Sequence, residues 1–258
     1  MKLLIVNPNI STSVTELIEA EARRSASPGT ALTLRTAPFG VAYIETRAEA
    51  AIGAYATLVE LAEHHAGHDA AVIAAFGDPG LAAAREMLPI PVVGLTESAL
   101  MSAAQLGGRI GIVAISRRIR AWYRETVDAC GMHSRLASIR CLDEPLADIG
   151  SVQRDKGEQL VALCRAAVRE DGADVLIIAG APLAGLARQV AERIPVPIVD
   201  GVSCAVRQAE LLAGLAPRRA SEGSYAAPPT KACQGLPPAL ARLVGREGHD
   251  NENEEGNS

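Results

Sequence analysis

Apolar runs of strand length alternate with amphipathic stretches along most of this chain. The run Lys2–Val6 is nearly continuous, which is the pattern of a strand buried on both faces of a parallel sheet. Between such runs, apolar residues recur at helical spacing, as in the stretch from Thr46 to His65. This alternation predicts an α/β fold with doubly wound parallel sheets, in which ligands bind at the carboxyl ends of the strands.

The chain also repeats itself. The stretch Asp69–Ala104 and the stretch Asp174–Gln208 each contain an apolar strand, a turn ending in Gly-Leu-Ala, a helix, Pro-x-Pro, a second strand and a second helix. A second pairing, of Lys2–Asn9 with Arg109–Ser116, has nearly the same offset. An internal duplication follows, and it predicts two pseudo-symmetric lobes with an active-site cleft between them.

We place the first lobe at residues 1–108 and the second at residues 109–204. The segment at about 205–244 is expected to pack back on the first lobe. Residues 245–258 are rich in acid and almost free of apolar residues, so we predict a disordered tail.

Two corresponding positions end the first strand of each repeat. Ala75 of the first copy pairs with Gly180 of the second, so a shared site would lie between them. The loop after the opening strand contains Asn7, Asn9, Ser11 and Thr12 ahead of a helix, where free backbone N–H groups suit an anion or a carbonyl. Ser116 holds the position that corresponds to Asn9.

Composition narrows the class of protein. The chain has 258 residues, 48% of them hydrophobic, and no apolar run long enough to cross a membrane. No signal sequence is recognised before the first strand, so we expect a cytoplasmic protein. A net charge of −5 argues against nucleic-acid binding. Five widely spaced cysteines predict reduced, mostly buried thiols, without a zinc or disulfide framework.

Four motifs together resemble one family. They are Asn-Pro-Asn within Val6–Ser11, Phe-Gly-Asp-Pro-Gly at Phe76–Gly80, Pro-Val-Val-Gly at Pro91–Gly94 and Pro-Ile-Val-Asp-Gly at Pro197–Gly201. The sequence resembles the aspartate/glutamate/hydantoin racemase superfamily, and within it the hydantoin and allantoin racemase branch, from Met1 to about Leu215.

The resemblance implies a two-lobed isomerase that uses no cofactor and no metal. It also implies a small-molecule substrate and association of identical chains, for which Trp122 and Tyr123 are a candidate contact. Members of the family use two cysteines on opposite faces of an acidic carbon. Here those positions are Ala75 and Gly180, neither of which can exchange a proton, so the two-thiol reaction is not expected.

Other residues must then handle protons. The candidates are Asp78, Glu97 and Asp200, each near a predicted strand end. Each has an equally good structural explanation: Asp78 as a turn residue, Glu97 as a first-turn helix acid and Asp200 as an N-cap. The predicted substrate-binding residues are Asn7, Asn9, Ser11, Thr12, Ala75, Phe76, Gly77, Ser116, Gly180, Ala181 and Pro182.

Three functions remain open. The chain could transfer a proton at an acidic carbon of a small carboxylate or cyclic ureide, and so racemise it with non-thiol groups. The same cleft could hold a one-sided lyase, decarboxylase or hydrolase. A binding protein without catalysis is the third. Tyr43 and Glu45 either point into the site or have packing and helix-terminal roles, and we predict no metal ligands among His64, His65 and His68.

Overall fold

A computed structural model describes residues 1–143 and 149–247 of the protein. Strands of the described residues are β1 (Lys2–Asn7), β2 (Ala31–Thr36), β3 (Ala70–Ile73), β4 (Val92–Gly94), β5 (Ile110–Ala114), β6 (Leu136–Cys141), β7 (Val175–Ile178), β8 (Ile198–Asp200), β9 (Ala232–Cys233) and β10 (Arg246–Glu247). Helices are α1 (Thr12–Ser25), α2 (Arg47–His64), α3 (Leu81–Met87), α4 (Leu95–Leu106), α5 (Arg120–Ala129), α6 (Val152–Asp171), α7 (Leu186–Val190), α8 (Gly201–Leu215) and α9 (Pro238–Val244).

The large strands form two parallel sheets of four strands each. The first has the order β2-β1-β3-β4 and the second has the order β6-β5-β7-β8, so both halves follow the same path. Even the register corresponds, since Ile73 pairs with Gly94 in one sheet and Ile178 with Asp200 in the other. The predicted α/β fold with two similar lobes and parallel sheets is confirmed.

The apolar composition of strands β3, β5 and β7 explains why they lie in the middle of the sheets. Every residue of β3, β5 and β7 is buried, as expected for strands covered by helices on both faces. The edge strand β2 alternates between exposed and half-buried residues over its first half instead. The two sheets therefore have apolar central strands whose carboxyl ends meet between the lobes.

Local capping fixes several helix starts. The Ser11 hydroxyl caps α1 by accepting from the Val14 N–H, and Thr46 and Glu49 form a capping box at the start of α2. Asp200 caps α8 through the N–H of Ser203 at 3.0 Å. Because each cap follows a strand, it also fixes the loop at the carboxyl end of that strand.

The C-terminal part of the chain packs mainly against elements of the first half. Helix α8 packs on α1, α4 and the strands β3 and β4, and α9 packs on α2. Arg219 donates to the backbone oxygens of Glu86 and Met87 at the end of α3. Of the predicted acidic tail, residues 246–247 form β10, which pairs with β9, whereas residues 248–258 lie outside the described residues. Across the described ranges, no helix is long and apolar enough to span a bilayer.

Candidate active site

A small cavity lies where the loops of the two lobes meet. Its volume is about 30 Å³, and loops after β1, β2, β3, β5 and β7 reach it. The lining residues are Asn9, Tyr43, Ile44, Ala75, Phe76, Ile115, Ile119, Tyr123, Gly180, Ala181 and Pro182. It therefore occupies the position at which parallel α/β proteins bind ligands.

The cavity contains both positions that the sequence repeat pairs. Ala75 and Gly180 line it from opposite lobes. Gly180 has φ +111°, which side chains rarely adopt, although a Cβ there would meet only Pro182 Cδ at 3.7 Å and the Tyr123 hydroxyl at 3.9 Å. Space exists at Gly180 for a side chain, but the backbone is shaped for glycine.

Among the described residues, none that lines this cavity has a side chain charged at neutral pH. Its polar side chains are the amide of Asn9 and the phenols of Tyr43 and Tyr123. A buried charge without a partner is costly, so a cavity of this kind suits a neutral ligand with hydrogen-bonding groups.

Asn9 is held in place by its neighbours. Its Oδ1 accepts from Asn7 Nδ2 at 3.1 Å and from the Ser11 N–H at 2.9 Å. Among the described residues, Asn9 Nδ2 has no hydrogen-bond partner, which leaves a donor free at the cavity wall. Asn7 itself is only 1% exposed and its amide bonds to Asn9, to the Ser11 carbonyl and to Thr15, so it supports the loop from behind.

Several predicted binding residues lie outside the lining. Ser11 is the N-cap of α1, and Thr12 is an exposed first residue of that helix. The Ser116 hydroxyl accepts from the Arg118 N–H at 3.2 Å. Gly77 sits behind the wall, where its N–H donates to the Thr96 hydroxyl at 2.6 Å. Their direct contact with a substrate stays a prediction.

Asp78 holds the start of α4 from another part of the chain. Its two carboxylate oxygens accept from the backbone N–H groups of Thr96 at 2.8 Å and Glu97 at 2.9 Å. Gly94, the N-cap of α4, has no side chain to do this, and a Cβ there would lie 2.2 Å from Asp78 Cγ. Burial raises the pKa of Asp78 to about 6, against the lowering effect of these hydrogen bonds. The geometry favours a capping role.

The other two acidic candidates also have structural partners. Glu97 pairs with Arg85, which further donates to the Val92 carbonyl at 2.9 Å. Asp200 accepts from the Ser203 hydroxyl at 2.6 Å, and burial raises its pKa. Asp200 lines a separate cavity of about 460 Å³, so neither residue is brought to Ala75 and Gly180.

Sequence analysis missed Tyr123 as a residue of the site. Tyr123 is 3% exposed and Trp122 is 9% exposed, so both are buried within one chain and the prediction that they form a contact between subunits is wrong. The Tyr123 ring lies 4.7 Å from the ring of Phe76. The apolar spacing of Ile119, Tyr123 and Val127 places Tyr123 on the inner face of α5, which is the signal that could have found it.

One loop closes the cavity on the side of the first lobe. This cleft loop, residues 37–46, places Tyr43 and Ile44 in the lining, and its Val41 carbonyl accepts from the Ile10 N–H at 3.0 Å. Beside it, Arg47 of α2 is bound to Glu125 of α5 across the two lobes. A volume of about 30 Å³ is far below the roughly 300–1,000 Å³ of a typical ligand pocket, so a ligand of several heavy atoms enters only if this wall moves.

The cysteines do not replace the expected thiols. None of the five forms a disulfide bond, and none lines the cavity. Only Cys141 and Cys164 are buried, so the expectation of mostly buried thiols holds for two of the five. Cys204 lines the separate cavity beside Asp200, and burial raises its pKa to about 11.

The one group of potential metal ligands found among the described residues lies outside the cavity lining. Among the described residues, one group, formed by Glu60, Glu63 and His64, brings its ligand atoms within 4.8 Å of one another. It sits on the last turns of α2, and Glu60 is already bound by Arg35 at 2.9 Å. The described residues of the cavity lining offer uncharged groups, with no imidazole, thiol or carboxylate among them to bind a metal.

Comparison with known proteins assigns the chain to a family. The sequence model of the Asp/Glu/hydantoin racemase family matches residues 3–209. A hydantoin racemase of Paenarthrobacter aurescens is 34% identical over 233 residues, which cover 90% of this chain and 99% of the relative. The chain belongs to the Asp/Glu/hydantoin racemase family.

Solved structures of racemases have the same fold as this chain. The allantoin racemase from Klebsiella pneumoniae superposes with a TM-score of 0.88 at 34% identity, covering 93% of this chain and 98% of that one. A glutamate racemase from Bacillus anthracis has a TM-score of 0.59 at 15% identity, which shows the shared fold alone. The family resemblance seen in the sequence is thus confirmed, and relatives of the chain are racemases.

Proposed function

We propose that the protein is a cofactor-independent enzyme that exchanges the proton on an acidic carbon of a neutral cyclic ureide. The substrate binds in the cavity between the lobes, and planar intermediates formed there regain a proton from either face, which racemises the carbon. The names of two relatives, hydantoin racemase and allantoin racemase, support a cyclic ureide as the substrate class.

The uncharged lining of the cavity carries this proposal. Of the two substrate classes predicted from the sequence, a carboxylate would need a cationic partner in the cavity, and the lining residues supply none. A cyclic ureide needs only donors and acceptors for its carbonyl and N–H groups. Asn9 Nδ2 is a free donor at the wall, and the apolar residues Ile44, Ile115 and Ile119 fit a hydrocarbon substituent.

The proton chemistry cannot follow the two-thiol route. Ala75 and Gly180 have no acid or base, and Asp78, Glu97 and Asp200 are occupied by helix caps or an ion pair outside the cavity lining. Catalysis therefore rests on neutral donors that stabilise an enolate, in the manner of an oxyanion hole.

One observation favours a second function, binding without chemistry. The lining residues that the structure describes include no base that works near neutral pH, because each of their side chains is apolar, an amide or a phenol. A protein that kept the cleft and lost the reaction would have this composition.

Polarimetry separates the two functions. One enantiomer of 5-methylhydantoin is incubated with the protein, with heat-denatured protein and with buffer alone, and the melting temperature is measured with the same ligand. The enzyme proposal predicts loss of optical rotation faster than in both controls. A raised melting temperature without faster racemisation would replace it by the binding function, and release of CO₂ from a malonate would indicate a decarboxylase.

Two further proposals concern the assembly and the location of the protein. We expect association of identical chains and a cytoplasmic location, neither of which depends on the cavity. Light scattering of the purified protein measures the mass in solution, and a monomer at micromolar concentration would contradict the first expectation.

A further inference from the structure

We infer that the hydroxyl of Tyr123 is the catalytic hydrogen-bond donor of this site, and that it stabilises the enolate oxygen formed when the acidic carbon loses its proton. The inference rests on the proposed function and names the group that performs its difficult step. It concerns a residue that the two-thiol chemistry of the family does not require.

The position of the hydroxyl is the first argument. It lies 3.9 Å from the point where a Cβ of Gly180 would be, which is one of the two positions where the resemblance expects a thiol. Tyr123 also lines the same cavity as Ala75. A planar substrate held between Ala75 and Gly180 would therefore have this hydroxyl at its edge.

The hydroxyl is also free to donate. Within the part of the chain that the structure describes, it has no hydrogen-bond partner, although Tyr123 is only 3% exposed. A buried phenol normally finds a partner, and an unpaired one at a cavity wall is completed by a ligand. Tyr43, the other phenol of the lining, already interacts with the Glu45 carboxylate.

The ring that carries the hydroxyl is held rigidly. It contacts Phe76 at 4.7 Å and Trp122 at 5.6 Å between ring centroids, both in tilted arrangements. Trp122 in turn lies against the backbone of Gly77, where a Cβ would be 2.2 Å from the indole. A donor fixed before the substrate arrives needs no reorganisation during the reaction, which is the condition for efficient electrostatic catalysis.

Protonation of the phenol agrees with a donor role. Burial, together with the nearby groups of Cys141 and Asp78, raises the pKa of Tyr123 above its ordinary value. The phenol therefore keeps its proton throughout the neutral range. It can donate a hydrogen bond to a developing oxyanion, but it cannot serve as the base.

The base is hydroxide from solvent. The C–H bond of the acidic carbon breaks and its proton joins hydroxide to form water, while the electron pair moves onto the adjacent carbonyl oxygen, which accepts a hydrogen bond from Tyr123. Water then returns a proton to either face of the carbon, the C=O bond is restored, and hydroxide is regenerated. Ala75 carries only a methyl group and Gly180 has no side chain, so neither residue takes part in these proton transfers at the two faces of the carbon.

Replacement of single phenols tests the inference. We expect Tyr123→Phe to lower the racemisation rate constant kcat about 10²- to 10³-fold, with a much smaller change in KM. The matched control Tyr43→Phe removes a phenol of the same cavity that has its own partner, and it should lower kcat less than about tenfold. Below pH 9, the rate of the wild type and of Tyr43→Phe should increase about tenfold for each unit by which the pH is raised, because the reaction is first order in hydroxide.

A binding measurement tests the role of Tyr123 even if the wild-type protein shows no racemisation. The planar compound 5-isopropylidenehydantoin resembles the enolate at C5, and quenching of the only tryptophan, Trp122, reports its binding. Tyr123→Phe should weaken this binding about tenfold or more, and clearly more than Tyr43→Phe weakens it. Melting temperatures of both variants establish that they are folded.

The outcomes are distinct. If Tyr123→Phe keeps more than half of the wild-type rate, or if Tyr43→Phe loses as much, the role of Tyr123 is wrong while the proposed function stands. If the wild type does not racemise hydantoins at all, the proposed function fails. In that case equal affinities of the two variants for the planar compound would also refute Tyr123 as the donor.

Discussion

Gly77 allows the two lobes to close on each other at Trp122. It has φ +101°, and a Cβ on it would lie 2.2 Å, 2.4 Å and 2.7 Å from three carbons of the indole. Gly77→Ala therefore combines backbone strain of about 1–3 kcal/mol with overpacking of about 1–3 kcal/mol. We expect a loss of about 2–6 kcal/mol in the free energy of unfolding, a large share of the roughly 5–15 kcal/mol typical of a folded domain.

A second glycine separates these two contributions. Gly67 also has a positive φ, +78°, but nothing lies within 4 Å of its Cβ position. Gly67→Ala should therefore cost strain alone, about 1–2 kcal/mol. Urea unfolding followed by circular dichroism and by Trp122 fluorescence measures both variants, and the emission maximum should shift only in Gly77→Ala. Equal losses in the two variants would refute the packing of Trp122 on Gly77.

Three further predictions concern stability. The folded protein holds the proton of Asp78 up to pH about 6, so this residue lowers the free energy of unfolding by about 2 kcal/mol as the pH rises from 4 to 7. The stability difference between wild type and Asp78→Asn should fall across that window in urea titrations, and a constant difference would contradict it. Gly94→Ala should lower the free energy of unfolding by about 3 kcal/mol or more, because the added Cβ overlaps the Asp78 carboxylate. Gly157→Ala, on α6 with nothing near its Cβ position, should instead raise it by about 0.4–1 kcal/mol. Calorimetry that gives the opposite order of stability would refute this geometry. Ala75→Cys should leave the melting temperature nearly unchanged. Gly180→Cys should lower the melting temperature, because the strained backbone reduces the free energy of unfolding by about 1–3 kcal/mol. Equal melting temperatures of the two variants would show that the glycine conformation is not required.

The fold was predictable because it depends on local patterns. The continuous apolar run Lys2–Val6 lies in β1, and the stretch of helical spacing from Thr46 to His65 forms α2 together with its two capping residues. The internal repeat predicts two sheets of one strand order, and the structure has them. That repeat also pairs Ala75 with Gly180 in a single cavity without any knowledge of side-chain contacts.

The site was less predictable because it depends on contacts between distant segments. The role of Asp78 as a cap is set by Thr96 and Glu97, which approach it only through the tertiary fold. The sequence indicates Tyr123 only as a candidate contact between chains, whereas the tertiary fold places its hydroxyl 3.9 Å from the Cβ position of Gly180 at the cavity wall. Side-chain direction at such positions is decided by tertiary packing, which no local pattern contains.

Deuterium incorporation measures the central claim most directly. The protein is incubated in D₂O with an equimolar mixture of 5-methylhydantoin and alanine, and NMR follows the hydrogen on the acidic carbon of each. An uncharged cavity predicts that deuterium enters C5 of the hydantoin faster than in a protein-free mixture, while alanine keeps its α-hydrogen. Exchange of alanine, or a hydantoin rate equal to that without protein, would contradict the account.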